Sequence, residues 1–268
     1  MLDDRAAGAA ELDTAFAGLD PLGRLRLIAD RMPGRVVFTT SLGIEDQMLT
    51  HLIFANGLPI DVVTLDTGRL FPETYTLWRE TEERYGRRIK ALYPQAEALE
   101  ALVADQGIDG FYMSVDCRKA CCGVRKVEPL GRALKGASAW ITGLRRDQSA
   151  SRGTLDYVSF DAQRGLVKAN PIFDWTRDEI VAFTTAERVP VNGLHAQGFL
   201  SIGCAPCTRA VHPGEPERAG RWWWEDEAKK ECGLHVDESG RVTRADPSSP
   251  IAGVRPAHGD AAFERLPQ

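Results

Sequence analysis

The chain lacks the long apolar runs of membrane proteins. None of its 268 residues belongs to a run approaching the ~18–20 consecutive apolar positions that cross a bilayer. The first residues, Met-Leu-Asp-Asp-Arg, contain no basic segment followed by an apolar one, so we expect no secretory signal. The chain also lacks an excess of basic charge, since its net charge is −5 at neutral pH. We therefore expect no nucleic-acid or membrane partner, and any anion site must be local.

Cysteine is scarce, and two common nucleotide-binding motifs are missing. Six unevenly spaced cysteines do not resemble the disulfide framework of a secreted domain. We therefore expect a reducing, cytoplasmic location. The sequence has neither a GxxxxGK[ST] loop nor a GxGxxG fingerprint, which disfavours the two nucleotide-binding folds that depend on them.

Apolar β-branched runs alternate with helical periodicity along most of the chain. The clearest runs predict strands at residues 35–40, 60–65 and 137–143. Weaker patterns predict a strand at 89–92, a hairpin at 157–168, and helices at 1–20, 21–32, 45–55, 72–85, 97–104 and 176–187. This alternation is typical of an α/β fold with a mostly parallel twisted sheet flanked by helices.

The composition changes after His235, where Asp, Ser, Gly, Pro and Arg become frequent. Such a segment cannot bury much apolar surface. We therefore predict a single domain over residues 1–235 and an extended or flexible C-terminal tail over 236–268.

Three loops that follow predicted strands carry small and polar residues. They are Ser41-Leu-Gly-Ile-Glu-Asp46, Asp66-Thr-Gly-Arg69, and a loop with Arg145, Arg146 and Arg152. Ligands of parallel sheets bind at the carboxyl ends of the strands, where these loops meet. Helix-start amides and arginine side chains both bind phosphate or sulfate oxygens. Each loop alone is compatible with a capped turn or a solvated basic loop, but together they indicate an anion site such as that of a nucleotide.

Four of the six cysteines form two pairs. Cys121 and Cys122 are adjacent, and Cys204 and Cys207 are separated by Ala-Pro. Four thiolates form a soft donor set that suits an iron–sulfur cluster or zinc. Zinc sites usually separate paired ligands by about two to four residues, whereas adjacent ligands can reach two corners of a larger cluster. We therefore favour a [4Fe–4S] cluster over zinc and over four unliganded thiols, and we interpret Cys117 as a non-ligand.

Two further motifs lie near the end of the chain. Arg218 and Arg221 precede three consecutive tryptophans and would share one face if this segment were helical. Three adjacent tryptophans cannot all face one core. Cys232, in Glu-Cys-Gly-Leu-His, is far from the paired cysteines, and an accessible cysteine there suits a nucleophile. Its acidic and basic neighbours oppose each other, so local charge does not predict a thiolate. His235 is either an acid/base or an ordinary surface histidine.

Four motifs, in this order, resemble those of the assimilatory adenylyl-sulfate (APS) reductases. They are Cys-Cys-Gly-Val-Arg-Lys, Gly-Cys-Ala-Pro-Cys-Thr, Arg-Trp-Trp-Trp-Glu and Glu-Cys-Gly-Leu-His, and the likeness covers about residues 41–235. The resemblance implies an adenine nucleotide alpha-hydrolase-like fold and a [4Fe–4S] cluster on Cys121, Cys122, Cys204 and Cys207. It also implies reduction of APS to sulfite and AMP by thioredoxin, in sulfate assimilation and cysteine biosynthesis.

The resemblance also implies residue roles. Cys232 would attack the sulfate sulfur, AMP would leave, and thioredoxin would release sulfite from the S-sulfocysteine. The modified pyrophosphate loop is matched by Ser41, Gly43, Glu45 and Asp46. The second loop of the family is matched by Asp66, Thr67, Gly68 and Arg69. The expected phosphosulfate contacts are Lys126, Arg145, Arg152, Arg218 and Arg221. The thiol route needs no electrons from the cluster, so we expect the cluster to act structurally and electrostatically near Lys126.

Three other functions compete with this one. The first is the same chemistry with the 3′-phosphorylated nucleotide, PAPS, because Arg145 and Arg146 could bind the extra phosphate. The second is an ATP-pyrophosphatase-type tRNA thiolase, which should have a Ser-Gly-Gly-x-Asp loop, but position 42 is leucine. The third is a cluster-bearing sensor, which has no need for Cys232. The sequence leaves open whether the chain forms a homo-oligomer.

Overall fold

The computed structural model describes residues 2–148 and 156–225. Six strands form one sheet in the order β3-β2-β1-β4-β6-β5. They are β1 (Arg35–Thr40), β2 (Ile60–Leu65), β3 (Lys90–Leu92), β4 (Ala137–Ile141), β5 (Val158–Asp161) and β6 (Leu166–Ala169). Neighbouring strands are parallel except for the β5–β6 hairpin. The mostly parallel α/β fold and the hairpin are confirmed, whereas the boundary at residue 235 lies outside the described residues and stays a prediction.

Helices connect the strands and cover both faces of the sheet. They are α1 (Leu2–Phe16), α2 (Pro21–Arg31), α3 (Ile44–Ala55), α4 (Pro72–Tyr85), α5 (Ala96–Gln106), α6 (Val115–Cys122), α7 (Glu128–Leu134) and α8 (Arg177–Ala186). Helix α8 begins with a capping box, in which Thr176 Oγ1 accepts from Glu179 N and the Glu179 carboxylate accepts from Thr176 N. None of the helices over residues 2–148 and 156–225 is long and apolar enough to cross a membrane.

Alternation along β1 divides the core into two layers. Val36 and Phe38 point into the larger layer, which includes residues of α1, α2 and α3. Val37 points the other way, into a smaller layer with Leu130 and Leu134 of α7. Because both sheet faces are buried, β1 is apolar at successive positions rather than at alternate ones. The sheet thus fixes the positions of the loops at its carboxyl edge.

Candidate active site

The three predicted loops lie at the carboxyl edge of the sheet, as their positions after strands require. Residues 41–43 follow β1, residues 66–71 follow β2 and residues 142–145 follow β4. Strand β1 lies between β2 and β4. The chain therefore leaves β1 towards one side of the sheet and later returns to the other side at β4. Ligands of such sheets bind in the crevice that opens where the connections diverge.

The loop after β1 is closed by its own carboxylate. Asp46 Oδ2 accepts hydrogen bonds from Ser41 N and Ser41 Oγ at 2.5 and 2.7 Å. Leu42, buried in this turn, has a φ of 61°, a strained value for a residue with a branched side chain. Burial raises the pKa of Asp46 from 3.8 to about 6, although the Ser41 hydrogen bonds oppose the shift. The Asp46 carboxylate therefore occupies the backbone N–H and the hydroxyl of Ser41, two donors of the loop for which the sequence predicts substrate binding.

Arg145 is fully buried among carboxylates. Its Nη2 lies 2.9 Å from Glu45 Oε1 and 2.6 Å from Glu217 Oε2, and its Nη1 pairs with Asp147. Burial raises the pKa of Glu217, and the negative charge of Glu45 raises it further, while Arg145 opposes both. Arg145 thus joins the loops after β1 and β4 to the segment that begins at Glu217. Its role as a phosphosulfate contact stays a prediction.

The loop after β2 contacts the cysteine segment directly. Asp66 Oδ1 accepts from Gly68 N and from the Tyr75 hydroxyl, both at 2.8 Å. Thr67 Oγ1 and Cys204 Sγ are 3.3 Å apart, within hydrogen-bond distance for sulfur. The backbone carbonyl of Arg69 also accepts from Ala205 N at 2.8 Å. The predicted nucleotide loop and the segment of the second cysteine pair are therefore in direct contact.

The four paired cysteines line a single cavity. Cys121 and Cys122 end α6, Cys204 precedes a short 3₁₀ turn and Cys207 ends it; all four are free thiols. Burial raises the pKa of Cys207 to about 12, and the nearby Cys204 raises it further, while Lys126 and Arg221 oppose the shift. Burial also raises the pKa of Cys121. Buried thiols of this kind become thiolates when a metal supplies positive charge.

The surroundings of the cavity fit an iron–sulfur cluster. Within residues 2–148 and 156–225, the buried N–H groups of Arg125 (Nε), Trp222 (Nε1) and Trp224 (Nε1) have no hydrogen-bond partner. Arg125 and Trp222 line the cavity, and Trp224 packs with Trp222 and Cys122 in one apolar cluster. Sulfur atoms of a cluster accept such hydrogen bonds, whereas a buried donor without an acceptor is costly. Among the described side chains, no three of His, Cys, Asp or Glu are grouped to bind a single metal ion.

Three of the basic residues predicted for phosphosulfate, Lys126, Arg218 and Arg221, line this cavity or contact its lining. Lys126 follows the cysteine pair on a π-helical turn, Gly123–Val127, and lines the cavity. Residues 217–220 form a turn, and Arg221 forms an isolated β-bridge with Thr208, rather than the helix considered above. Arg218 and Arg221 nevertheless both contact Trp222, since their guanidinium groups lie 6.0 and 4.9 Å from the centre of its ring. Trp222 is buried and Trp223 is exposed, which confirms that the three tryptophans diverge.

Some predicted residues lie outside residues 2–148 and 156–225, and some important ones were not predicted. Arg152, Cys232 and His235 are among the former. Arg118 and Arg125, both buried beside the paired cysteines, are among the latter. Their only sequence signal is proximity to Cys121 and Cys122, because burial of an arginine depends on partners that are distant in the chain.

Comparison with known proteins matches this arrangement to one family. The sequence profile of the phosphoadenosine phosphosulfate reductase domain matches residues 35–210. The chain belongs to the phosphoadenosine phosphosulfate reductase family. A family member from Agrobacterium fabrum, named adenosine 5′-phosphosulfate reductase, is 56% identical over 231 residues, 86% of this chain and 88% of that protein. One of the same name from Allochromatium vinosum is 55% identical over 203 residues, 76% of this chain and 79% of that protein.

The fold of this chain is also found in a solved structure of the family. Phosphoadenylyl-sulfate (PAPS) reductase from Candida auris, in a phosphate complex, is 27% identical, with a TM-score of 0.65. The match covers 76% of this chain and 96% of that one. The adenine nucleotide alpha-hydrolase-like fold implied by the sequence motifs is therefore confirmed.

Proposed function

We propose that the chain is a thioredoxin-dependent adenylyl-sulfate reductase that converts APS to sulfite and AMP. The observation that carries the proposal is the position of Lys126 in the lining of the cavity of the four paired thiols, with Arg218 and Arg221 over Trp222 in the same lining. Close relatives named adenosine 5′-phosphosulfate reductase support the same substrate. The crevice at the carboxyl edge would hold the nucleotide, and the basic group would hold its phosphosulfate.

The chemistry follows from the needs of sulfuryl transfer. The Cys232 thiolate attacks the sulfate sulfur, an S–S bond forms, the S–O bond to the phosphate breaks, and AMP leaves. Lys126, Arg218 and Arg221 would neutralise the charge that develops on the leaving phosphate. A thioredoxin thiolate then attacks the Cys232 sulfur and releases sulfite. The second thioredoxin thiol resolves the mixed disulfide, which frees Cys232 and leaves oxidised thioredoxin.

A [4Fe–4S] cluster would be held by Cys121, Cys122, Cys204 and Cys207. When bound, it would supply a fixed charge distribution and a cross-link beside the phosphosulfate site. Arg125 would orient the loop after β2 toward it, because its Nη1 donates to Thr67 O at 2.6 Å. The unpartnered N–H groups of Trp222 and Trp224 support this assignment.

The same chemistry on PAPS is the second candidate, since the structural relative from Candida auris is a PAPS reductase. The contacts of two arginines favour APS. Arg145 is held by Glu45, Glu217 and Asp147, and Arg146 lies 4.9 Å over the Phe173 ring. Neither is placed to offer its charge to a 3′-phosphate without giving up these contacts. We expect kcat/KM to favour APS by at least about tenfold, roughly 1.4 kcal/mol.

A tRNA thiolase is disfavoured by the loop after β1. Such an enzyme activates its substrate with ATP and must bind the pyrophosphate that leaves. Here the carboxylates of Glu45 and Asp46 lie in the first turn of α3, and Asp46 already occupies the Ser41 donors. Two acidic side chains at this position would repel a pyrophosphate.

The proposal is tested by trapping the intermediate. Enzyme incubated with APS and no thioredoxin should release one AMP per chain and gain one sulfonate on Cys232, detected by intact and peptide mass spectrometry. Cys232→Ser should bind iron and APS but form no adduct. Addition of reduced thioredoxin should release sulfite from the wild-type adduct. A Cys232→Ser enzyme with normal turnover would disprove the mechanism, and equal kcat/KM for APS and PAPS would disprove the substrate choice.

A further inference from the structure

A buried ion pair joins the cysteine helix to the last residue that the structure describes. Arg118 is fully buried, and its Nε and Nη2 donate to the two carboxylate oxygens of Glu225 at 2.9 and 2.8 Å. The Glu225 side chain is only 3% exposed. The Arg118 guanidinium also lies 4.7 Å over the Trp222 ring. This forked, stacked arrangement is specific to arginine.

The two ends of this pair connect different parts of the candidate site. Arg118 precedes Cys121 by one helical turn on α6. Glu225 ends a turn in which its N–H donates to Trp222 O at 2.9 Å, and Trp222 N donates to Cys207 O at 3.2 Å. Trp222 has a φ of 42°, a strained value that its surroundings must enforce. The pair therefore fixes the direction in which the chain continues past the cysteine cavity.

Stability alone does not account for such a pair. Burying two charges costs about as much as their attraction returns, and well-packed apolar residues often replace them without loss. A buried bidentate pair does specify one relative position of the two elements that it joins. Cys232 follows Glu225 by seven residues, a span of at most ~25 Å even when fully extended. The position of residue 225 thus limits where the Cys232 thiol can be delivered.

We propose that Arg118 and Glu225 are positioning residues for Cys232. They hold the start of the segment carrying the nucleophile against the helix that carries Cys121 and Cys122. Their contribution is to the rate of sulfuryl transfer rather than to nucleotide affinity. This inference rests on the proposed function, because it concerns the same covalent step.

The test is a single-turnover measurement on iron-replete enzyme without thioredoxin. In Glu225→Gln the first-order rate of S-sulfonation of Cys232 should fall at least about fivefold, since small misplacements of reacting groups are costly. The dissociation constant for APS, measured in a Cys232→Ser background, should change less than about twofold. Iron content per chain should be unchanged. Glu225→Asp, which keeps the charge, should recover part of the rate and serves as the second variant if Glu225→Gln does not fold.

The matched control is an exposed pair of the same chemistry. On α7, Glu128 accepts from Arg132 Nε and Nη2 at 2.6 and 2.9 Å, with both side chains more than one third exposed. Glu128→Gln should leave the adduct rate unchanged.

Three results would overturn the inference. The first is a normal rate of adduct formation in Glu225→Gln. The second is a weaker affinity for APS with an unchanged rate of adduct formation. The third is a decrease in rate that is explained by a lower iron content per chain. A wild-type enzyme that forms no adduct with APS would instead disprove the proposed function itself.

Discussion

Asp46 is a carboxyl group that the fold buries against its own loop. Its two hydrogen bonds from Ser41 favour the ionised form, but loss of water favours the neutral form and dominates. Close packing contributes to this burial, since a Cβ on Gly143 would lie 2.1 Å from Asp46 Oδ1. The start of α3 is therefore held by a carboxyl group that is mainly protonated below about pH 6.

The pKa of Asp46 predicts a pH-dependent stability. The raised value means that the folded protein binds this proton more tightly than the unfolded chain. The associated stability is present below pH ~4 and is lost as pH rises through about 6. Relative to Asp46→Asn, the wild type should lose up to about 3 kcal/mol between pH 4 and pH 7. Urea unfolding of both proteins at several pH values measures this, and a difference that does not vary with pH would contradict it.

At the scale of single residues, the sequence predicts the thiols but not the ion pairs. Cysteine is rare enough in this chain that pairs such as Cys121 and Cys122 stand out. The partners of Arg145 could not be predicted, because Glu45 and Glu217 lie 100 and 72 residues away in the chain. The tertiary fold determines which charged residues pair, so the partners cannot be predicted from the positions of charged residues in the sequence.

Helices and strands follow the sequence where periodicity is strong. The predicted bounds of β1 and β2 agree with the structure, since β-branched apolar runs there face two buried layers. The segments around the cysteines are different. Helix α6, the π-helical turn after it, and the turns at residues 216–224 have no regular apolar period. Their conformation depends on Arg118, Arg125 and Trp222 packing around the paired thiols, which local sequence does not encode.

Gly143 provides a test at the scale of elements. Its replacement by alanine would force a methyl group against Asp46 and the start of α3, so Gly143→Ala should destabilise the protein by about 1–3 kcal/mol and weaken nucleotide binding. Gly131→Ala, within α7 and with nothing within 4 Å of its Cβ, is the control and should stabilise by up to about 1 kcal/mol. Denaturant unfolding distinguishes the two. Equal changes in the free energy of unfolding for the two substitutions would show that close contact with Asp46 does not determine the effect at Gly143.

At the scale of the whole molecule, the strand order brings distant motifs together. The loops after β1, β2 and β4 meet because these three strands are adjacent in the sheet, although β4 lies 97 residues after β1 in the chain. The sequence predicts that these loops share one edge of the sheet, because the carboxyl ends of parallel strands lie at the same edge. It does not predict that the second cysteine pair reaches Thr67, since residues 205–207 form only a short 3₁₀ turn outside the regular strands and α-helices.

Metal analysis tests the cluster. Protein purified without oxygen should contain four irons and four inorganic sulfides per chain. Cys122→Ser should lose the cluster and most activity, because the cavity then lacks one soft ligand. Cys117→Ser, one turn earlier on α6, is the matched control and should keep both. Stoichiometric zinc without iron would contradict the assignment.

The spacing of the cysteine pairs has a consequence for durability. There are 81 residues between Cys122 and Cys204, and they contain β4, β5, β6, α7 and α8. A cluster on both pairs would close this stretch into a covalent ring and remove about 4–5 kcal/mol of chain entropy from the unfolded state, by analogy with a disulfide of that loop length. Oxidation of the cluster would open the ring, so oxygen damage should lower the free energy of unfolding and make the protein more sensitive to proteases, as well as ending catalysis.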